Sequence, residues 1–536
     1  MVEIRRRRAG GPWTGRPVTG GPVDDEYDLI CVGSGIGGCA AAAAAADAGA
    51  RALVVERAQV VGGVTAVSGG QIWIPGNRWA RALGMSDTAE EGARYIDGVA
   101  GGNNDPARTR ALLGAADGAL DLFTGRGLDL RVIRDLPDYY YPEAGHSAAE
   151  GRYLEPVPLP AGALGEWAGR LRRTAVWNMG AGTPGGGTAD PELVTGQALA
   201  GYFVRAALDA GARLTAGTAV TRLRTRDGAV TGVVLADGRE IVARSGVVLA
   251  TGAYDRNPDL VRRFEGVLDD HGTGSPPGIT GDHLGMAAPL GASIWSLPAA
   301  RNTVQVGFPT GELDEDGTAR YRTHWVVHPH EIIVNARGAR FADESFYPAI
   351  NAGLHQFDGA SQRLPNWPAW LVFDHDLAER GVVQVDPERV VSAPSVEELA
   401  RRAGIDADGL AATVAGYNEA RARGRDDAFG RGERPWSLWM SRLATGTGDG
   451  NPTLGPIVRP PFHAARLARV QAGLGSAGLE VDTSARVLTW AGEPIPGLYA
   501  VGNATARNDM GFSAQSGTSN LRGMVQGYLA GRDAAR

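Results

Sequence analysis

Between residues 27 and 56 an apolar run, Tyr27 to Val32, leads through Gly33-Ser34-Gly35-Ile36-Gly37-Gly38 into an alanine-rich stretch ending at Asp47, and then through Ala52 to Val55 into Glu56 and Arg57. This pattern predicts a strand, a tight turn, a helix and a second strand, the βαβ unit that holds a dinucleotide. Gly33 permits the turn, Gly35 lets backbone approach a pyrophosphate, and Gly38 lets the helix pack on the strand. The phosphates then meet the helix N-terminus, and Glu56 stands where an acid accepts from a ribose hydroxyl. Glycine is 78 of 536 residues, so the glycines alone say little. Strand, helix and terminal acid in register carry the reading.

Composition narrows the chemistry. The 53 basic residues are all arginine, which excludes pyridoxal-phosphate enzymes, Schiff-base aldolases and lysine-dependent P-loop hydrolases, because each needs a primary amine at its centre. Net charge is -7 and no basic stripe follows a predicted helix, so nucleic acid is not an expected partner. Cys31 and Cys39 are the only cysteines, too few for a disulfide framework or a four-thiolate zinc site. Arg5 to Arg8 precede no apolar core segment, so residues 1–23 read as a disordered arm. The run Ala40 to Ala46 is shorter than the ~20 residues that span a bilayer. These features read as a soluble, cytoplasmic protein with no membrane span.

Three further segments extend the nucleotide site. Val61 to Pro75 strings together small residues, including Gly63, Thr65, Ser68, Gly69 and Gly70, where backbone must skirt a bulky ring system. Val220 to Ala243 reads as a hairpin or meander with turns at Asp227-Gly228 and Asp237-Gly238, leading into an apolar run that ends at Thr251-Gly252. Ile495 to Thr505 is another buried strand, ending near Gly502-Asn503, and a helical stretch starts at Gly517. Both ends of the chain therefore converge on one cofactor.

With the glycine motif, the Gly62-to-Pro75 segment, Val334-Asn335-Ala336-Arg337-Gly338-Ala339-Arg340-Phe341-Ala342-Asp343-Glu344 and the C-terminal strand and helix in this order, the chain resembles the FAD-binding-2 family, which includes soluble fumarate reductases and 3-ketosteroid dehydrogenases. The resemblance implies an α/β fold: a discontinuous Rossmann-like FAD-binding domain over 24–300 and 466–536, with an inserted α+β substrate or cap domain over 301–465. It implies FAD held by Gly33, Gly35, Gly37, Gly38, Glu56, Arg57, Gly63, Thr65, Ser68, Gly69, Gly70, Val220, Thr251, Gly252, Gly502, Asn503, Ser516 and Ser519. Family members that attach FAD covalently carry a His before the Thr of the small-residue segment. Here Val64 precedes Thr65, so non-covalent FAD is expected.

Soluble fumarate reductases place an arginine eight residues before the Asn of the VN motif, where this chain has Val327, and another in the last connection, which here reads Gly511 to Gly517 without one. A dicarboxylate substrate is therefore not expected. The 3-ketosteroid dehydrogenases match better, and by this resemblance Tyr347 is the candidate base that removes the proton beside a ketone. Tyr140, within Tyr139-Tyr140-Tyr141-Pro142-Glu143, takes the place of the assisting tyrosine. A free phenol ionises near ~10, so a base of this kind needs a lowered value or a relay. The family holds the ketone oxygen with a tyrosine hydroxyl and a glycine N–H four residues later; that spacing gives Ser513 and Gly517, which leaves the substrate skeleton open.

The implied function is FAD-dependent introduction of a double bond α,β to a ketone, with the hydride going to flavin N5, a small hydrophobic ketone as substrate and an unidentified electron acceptor. The same parts run in reverse make an ene-reductase; a flavin monooxygenase or a non-catalytic flavoprotein are the alternatives of other kinds. His324, His328 and His330 have ligand-like spacing but no placed carboxylate, so no metal is expected, and His328 is a second candidate for a proton role. The arginines between 421 and 425 read as a solvated face.

Overall fold

The computed structural model describes residues 24–172, 191–266, 271–298, 304–314, 316–446 and 450–536. The expected arm at 1–23 and the expected boundary between 300 and 301 lie outside them. The βαβ reading holds closely: the first strand is Glu26–Val32, the helix Ile36–Asp47 and the next strand Ala52–Val55. These strands sit at the centre of an eight-stranded sheet whose main path runs Arg486–Leu488, Pro494–Ala500, Glu240–Leu249, Glu26–Val32, Ala52–Val55, Arg213–Thr215. The pairs from Pro494–Ala500 through Arg213–Thr215 are parallel, so Gly33, Glu56, Ala250 and Val501 follow the carboxyl ends of four neighbouring strands. In doubly wound sheets that edge is where ligands bind.

Small residues set how closely the two helices nearest the cofactor edge approach. The alanine run of Ile36–Asp47 packs on the C-terminal helix Thr518–Ala534, and a Cβ added at Gly531 would come within 2.3 Å of the Ala41 carbonyl oxygen. At the turn, Gly33 has φ +109°, and a Cβ at Gly38 would lie 1.9 Å from the Gly33 carbonyl oxygen. Helix and strand are therefore in the contact that the glycine spacing predicts.

A second region is built on an antiparallel four-stranded sheet, Glu331–Asn335, Ala369–Phe373, Phe462–Arg466 and Val390–Ala393, covered by the amphipathic helices Val396–Ala403 and Ala407–Arg423. Between the regions lies another four-stranded sheet, His271–Thr273, Ala468–Gln471, Val304–Leu313 and Ala319–Thr323. It takes strands from both sides of the expected boundaries, a long-range pairing that no local pattern announces. Among the described residues no helix is long and apolar enough to cross a membrane.

Candidate active site

A cavity of about 650 Å³ follows the carboxyl edge of the main sheet and passes beneath the second region. Every residue expected to hold FAD lines it except Gly38, which lies behind the turn. At one end, Glu56 Oε2 accepts from Ser34 Oγ at 2.6 Å and Ser34 N at 3.0 Å, while Oε1 accepts from Ala58 N at 2.9 Å. Each carboxylate oxygen has two lone pairs, so Glu56 can still receive a ribose hydroxyl. Arg57 Nη1 donates to Asp282 at 2.8 Å and Thr280 Oγ1 at 3.0 Å, clasping the 278–282 loop beside it. Thr65 Oγ1 accepts from Ile36 N at 3.1 Å, which ties the small-residue segment to the helix start.

The wall fits FAD. Two buried oxygens on it, Gln71 Oε1 and Asn503 Oδ1, have no hydrogen-bond partner among the described residues, and buried polar atoms left this way mark a place where a ligand or water completes the bonding. Together with the helix N-terminus at Gly35 and the acid at Glu56, they would receive phosphate, ribose and ring edge in turn.

The opposite end is aromatic. Asn335 Oδ1 accepts from Arg337 N at 3.0 Å and Ala339 N at 3.2 Å, making the turn of the VN motif. Arg340 then grips Glu344 with two bonds, of 2.6 and 2.7 Å, and Asp426 at 2.8 Å. This buried bidentate pair fixes the segment that delivers Tyr347 as the first residue of helix Tyr347–Leu354. The Tyr347 ring lies on the cavity wall, edge-on to Trp325 at 5.3 Å and to Tyr139 at 5.7 Å between centroids. The Tyr347 and Tyr139 phenols interact side chain to side chain. Tyr139 in turn lies 2.7 Å from Ser516 Oγ and accepts from Ser516 N at 3.1 Å. Burial pushes the Tyr347 phenol well above the ordinary tyrosine value, the neighbouring Tyr139 adds to the rise, and the Arg507 charge opposes it.

Two sequence expectations move. Tyr139 stands edge-on to Tyr347 and packs inward on Trp436 at 4.5 Å, while half-buried Tyr140, whose hydroxyl also acts electrostatically on Tyr347, stands edge-on to Phe346 at 5.6 Å and off the cavity wall. Ser513 also lies off the cavity. It is fully buried and donates to the Met510 carbonyl at 2.5 Å, so a short hydroxyl finds its acceptor in its own turn. Gly517 does line the cavity, as the left-handed N-cap of helix Thr518–Ala534.

The histidines separate. His324 Nε2 lies 2.7 Å from Glu331 Oε2, and His324 and His328 line the cavity with rings 6.4 Å apart. Burial pushes the His328 imidazole below its ordinary value, with the Glu331 charge opposing the shift. His330 turns away: its Nδ1 pairs with the Pro456 carbonyl at 2.7 Å, and Asp374 beside it is occupied by Val458 N and Arg459 N at 3.1 and 3.2 Å. Sequence reading missed Tyr139, Trp325, Trp436 and Gln515. Tyr139 lay inside a flagged segment; the tryptophans and Gln515 sit in no motif, and only the folded contacts reveal them.

The profile of the FAD binding domain family matches residues 28–521. The chain is 32% identical over 550 residues to 4-oxocyclohexanecarboxylate 2-dehydrogenase of Sinomonas cyclohexanicum, covering 95% of this chain and 93% of that protein. It is also 32% identical over 542 residues to 3-oxosteroid 1-dehydrogenase of Mycobacterium tuberculosis, covering 90% and 93%. The crystal structure of 3-ketosteroid Δ1-dehydrogenase from Sterolibacterium denitrificans, in complex with 1,4-androstadiene-3,17-dione, superposes with a TM-score of 0.81 at 26% identity, over 96% of this chain and 100% of that one. This chain therefore belongs to the FAD-binding-2 family and is an FAD-dependent oxidoreductase of the type that acts on CH–CH groups.

Proposed function

We propose that this protein oxidises a cyclic ketone to its α,β-unsaturated ketone, with Tyr347 as the base that takes the α proton. The observation that carries this reading is the line Tyr347, Tyr139, Ser516 on the cavity wall. Because burial keeps both phenols protonated, Tyr347 accepts a proton from carbon as it passes its own to Tyr139, Tyr139 passes its own to Ser516 Oγ, and the Ser516 hydroxyl releases its proton to solvent in the cavity it lines. The enolate oxygen is received at Gly517, at the positive end of the helix Thr518–Ala534. Bound FAD, held without a covalent bond, supplies the two-electron acceptor for the β hydrogen.

Trp325, Trp436 and Phe346 surround the two phenols and keep water from the carbanion-like carbon. The segment 301–465 acts as the cap, since Trp325, His328, Tyr347 and Leu443 all come from it and all face the cavity. A cyclic ketone is the feature shared by the substrates that the relatives' names give.

The test is anaerobic titration of the FAD-loaded protein with a panel of cyclic ketones, for which bleaching of the flavin band is expected. Tyr347→Phe should keep its FAD and lose the bleaching rate by about 10²- to 10⁴-fold, the usual range for a general base. If no ketone bleaches the band while an enone reoxidises the reduced protein, the physiological direction is reduction; if neither responds, the reading is wrong.

A further inference from the structure

The ketone oxygen needs a second donor beside Gly517, and Ser513 does not face it. Gln515 does line the cavity. Its Oε1 accepts from Tyr153 Oη at 3.0 Å, Tyr95 Oη at 3.1 Å and Tyr139 N at 3.4 Å. The orientation of the amide is set by a donor that cannot reverse: the Tyr139 N–H can only donate, so the carboxamide oxygen is the atom that faces it. The carboxamide NH₂ therefore points away from this phenol pocket. Gln515 is 5% exposed, and its Nε2 has no acceptor among the described residues.

The network behind Gln515 is rigid. The Asp138 carboxylate accepts from Trp73 Nε1 at 2.8 Å and from Arg152 Nη1 at 2.7 Å, and Arg152 also pairs with Asp87 at 2.8 Å. Tyr95 and Tyr153 lie against this cluster, and burial together with the Asp138 charge keeps both phenols protonated, as donors. A fully satisfied outer shell that leaves one inner donor open is the arrangement of a preorganised ligand contact.

Position says which atom it receives. Ser516, through both its N–H and its hydroxyl, anchors Tyr139 and hence the base. Gln515 and Gly517 flank Ser516 in the chain. A ketone's α carbon and its carbonyl carbon are one bond apart, so donors for the oxygen must lie next to the group that removes the α proton. We infer that Gln515 Nε2–H and Gly517 N–H together form the oxyanion hole of this enzyme, Gln515 being a catalytic residue that donates to the substrate's carbonyl oxygen.

This rests on the ketone-desaturating reading, and the test separates the two. With the cyclic ketone that wild type turns over fastest, Gln515→Met should lower kcat/KM by about 10²- to 10³-fold, the usual loss of one oxyanion-hole donor, with FAD affinity unchanged. Phenolate, a planar mimic of the enolate, should bind the variant more weakly than wild type. Gln515→Glu keeps an oxygen for the tyrosines and guards against a folding failure. Its activity should rise as pH falls and the carboxyl gains a proton to donate, a response that loss of structure would not produce. Wild-type turnover by Gln515→Met, or a fall in FAD affinity matching the loss of rate, overturns the inference while leaving Tyr347 as base intact; no turnover of any ketone by wild type overturns both.

Discussion

Tyr347 and Tyr139 form an edge-to-face pair whose ring centroids are 5.7 Å apart and whose planes meet at 86°. The pairing answers the difficulty of using tyrosine as a base. Burial raises both phenols, so neither exists as a free phenolate near neutrality, and the abstracted proton can be accepted only if another moves on at once. Tyr139 is built for this, because it holds the Ser516 N–H and hydroxyl as well as Tyr347. Tyr139→Phe should therefore retain FAD and lower turnover by about 10²- to 10⁴-fold, whereas Tyr140→Phe should stay near wild type. Steady-state rates on one cyclic ketone decide it, and the reverse ranking would return the role to Tyr140.

Ser513 offers a contrast. Its hydroxyl is spent on the Met510 carbonyl in a fully buried turn, so Ser513→Ala should leave kcat/KM nearly unchanged and cost about 1 kcal/mol of stability, the typical worth of one hydrogen bond. Ser513→Tyr should not create a steroid enzyme. The ring would enter a packed interior, where overfilling costs typically about 1 to 3 kcal/mol, and the variant should lose FAD at lower temperature with no gain on 3-ketosteroids. A gain there would place residue 513 at the carbonyl after all.

The legible parts were those with a local cause. The Glu26–Val32 strand, the Ile36–Asp47 helix and the acid after Val55 each follow from residues within a few positions, and the meander from 220 to 249 follows from its Asp-Gly turns. Motif spacing likewise pointed to a residue on the cavity wall, Tyr347, because the turn at Asn335 and the Arg340–Glu344 pair that place it are contained in the motif itself. The choice between Tyr139 and Tyr140 was different in kind: it depends on where Trp436, almost 300 positions away, packs. The orientation of Gln515 depends on phenols from residues 95 and 153. Neither contact leaves a periodicity or a spacing in the sequence.

At the nucleotide end, Glu56 holds Ser34 by two bonds and so shapes the turn that the pyrophosphate must enter. Glu56→Ala removes both the ribose acceptor and this brace, and FAD binding should weaken by about 1 to 3 kcal/mol, the usual loss for hydrogen bonds to a charged group. Fluorescence titration of the FAD-free protein measures it, and unchanged affinity would show that the acid only braces the turn. Acid precipitation of wild type should release all the flavin, since Val64 stands where a covalent attachment would need histidine; yellow colour retained in the washed pellet would contradict this.

Acid and base stability should reflect Asp343, four residues before Tyr347. Burial, with the Glu344 charge adding to it and the Ser345 hydrogen bonds restraining it, pushes its carboxyl up to about 6. An unfolded aspartate titrates near ~3.9, so between these values the folded state binds the proton more tightly. Stability from this group is then fully present below the unfolded value and is lost as pH rises through about 6, a difference of about 3 kcal/mol. Asp343→Asn keeps the Oδ1 acceptor used by Ser345 N at 2.9 Å and Ser345 Oγ at 2.6 Å while removing the charge. Ser345 in turn joins this segment to the helix that carries Trp436, through Gly432 N and Ser437 Oγ. The Asn variant should therefore hold its FAD to a higher temperature than wild type at pH 8, and the two should converge by about pH 4, where wild type is protonated as well. Thermal release of flavin fluorescence at the two pH values reads the difference directly. An equal shift at both would mean that Asp343 is already neutral throughout, or is stabilised as the anion by the neighbouring Arg431, and that its titration does not govern the stability of the aromatic corner.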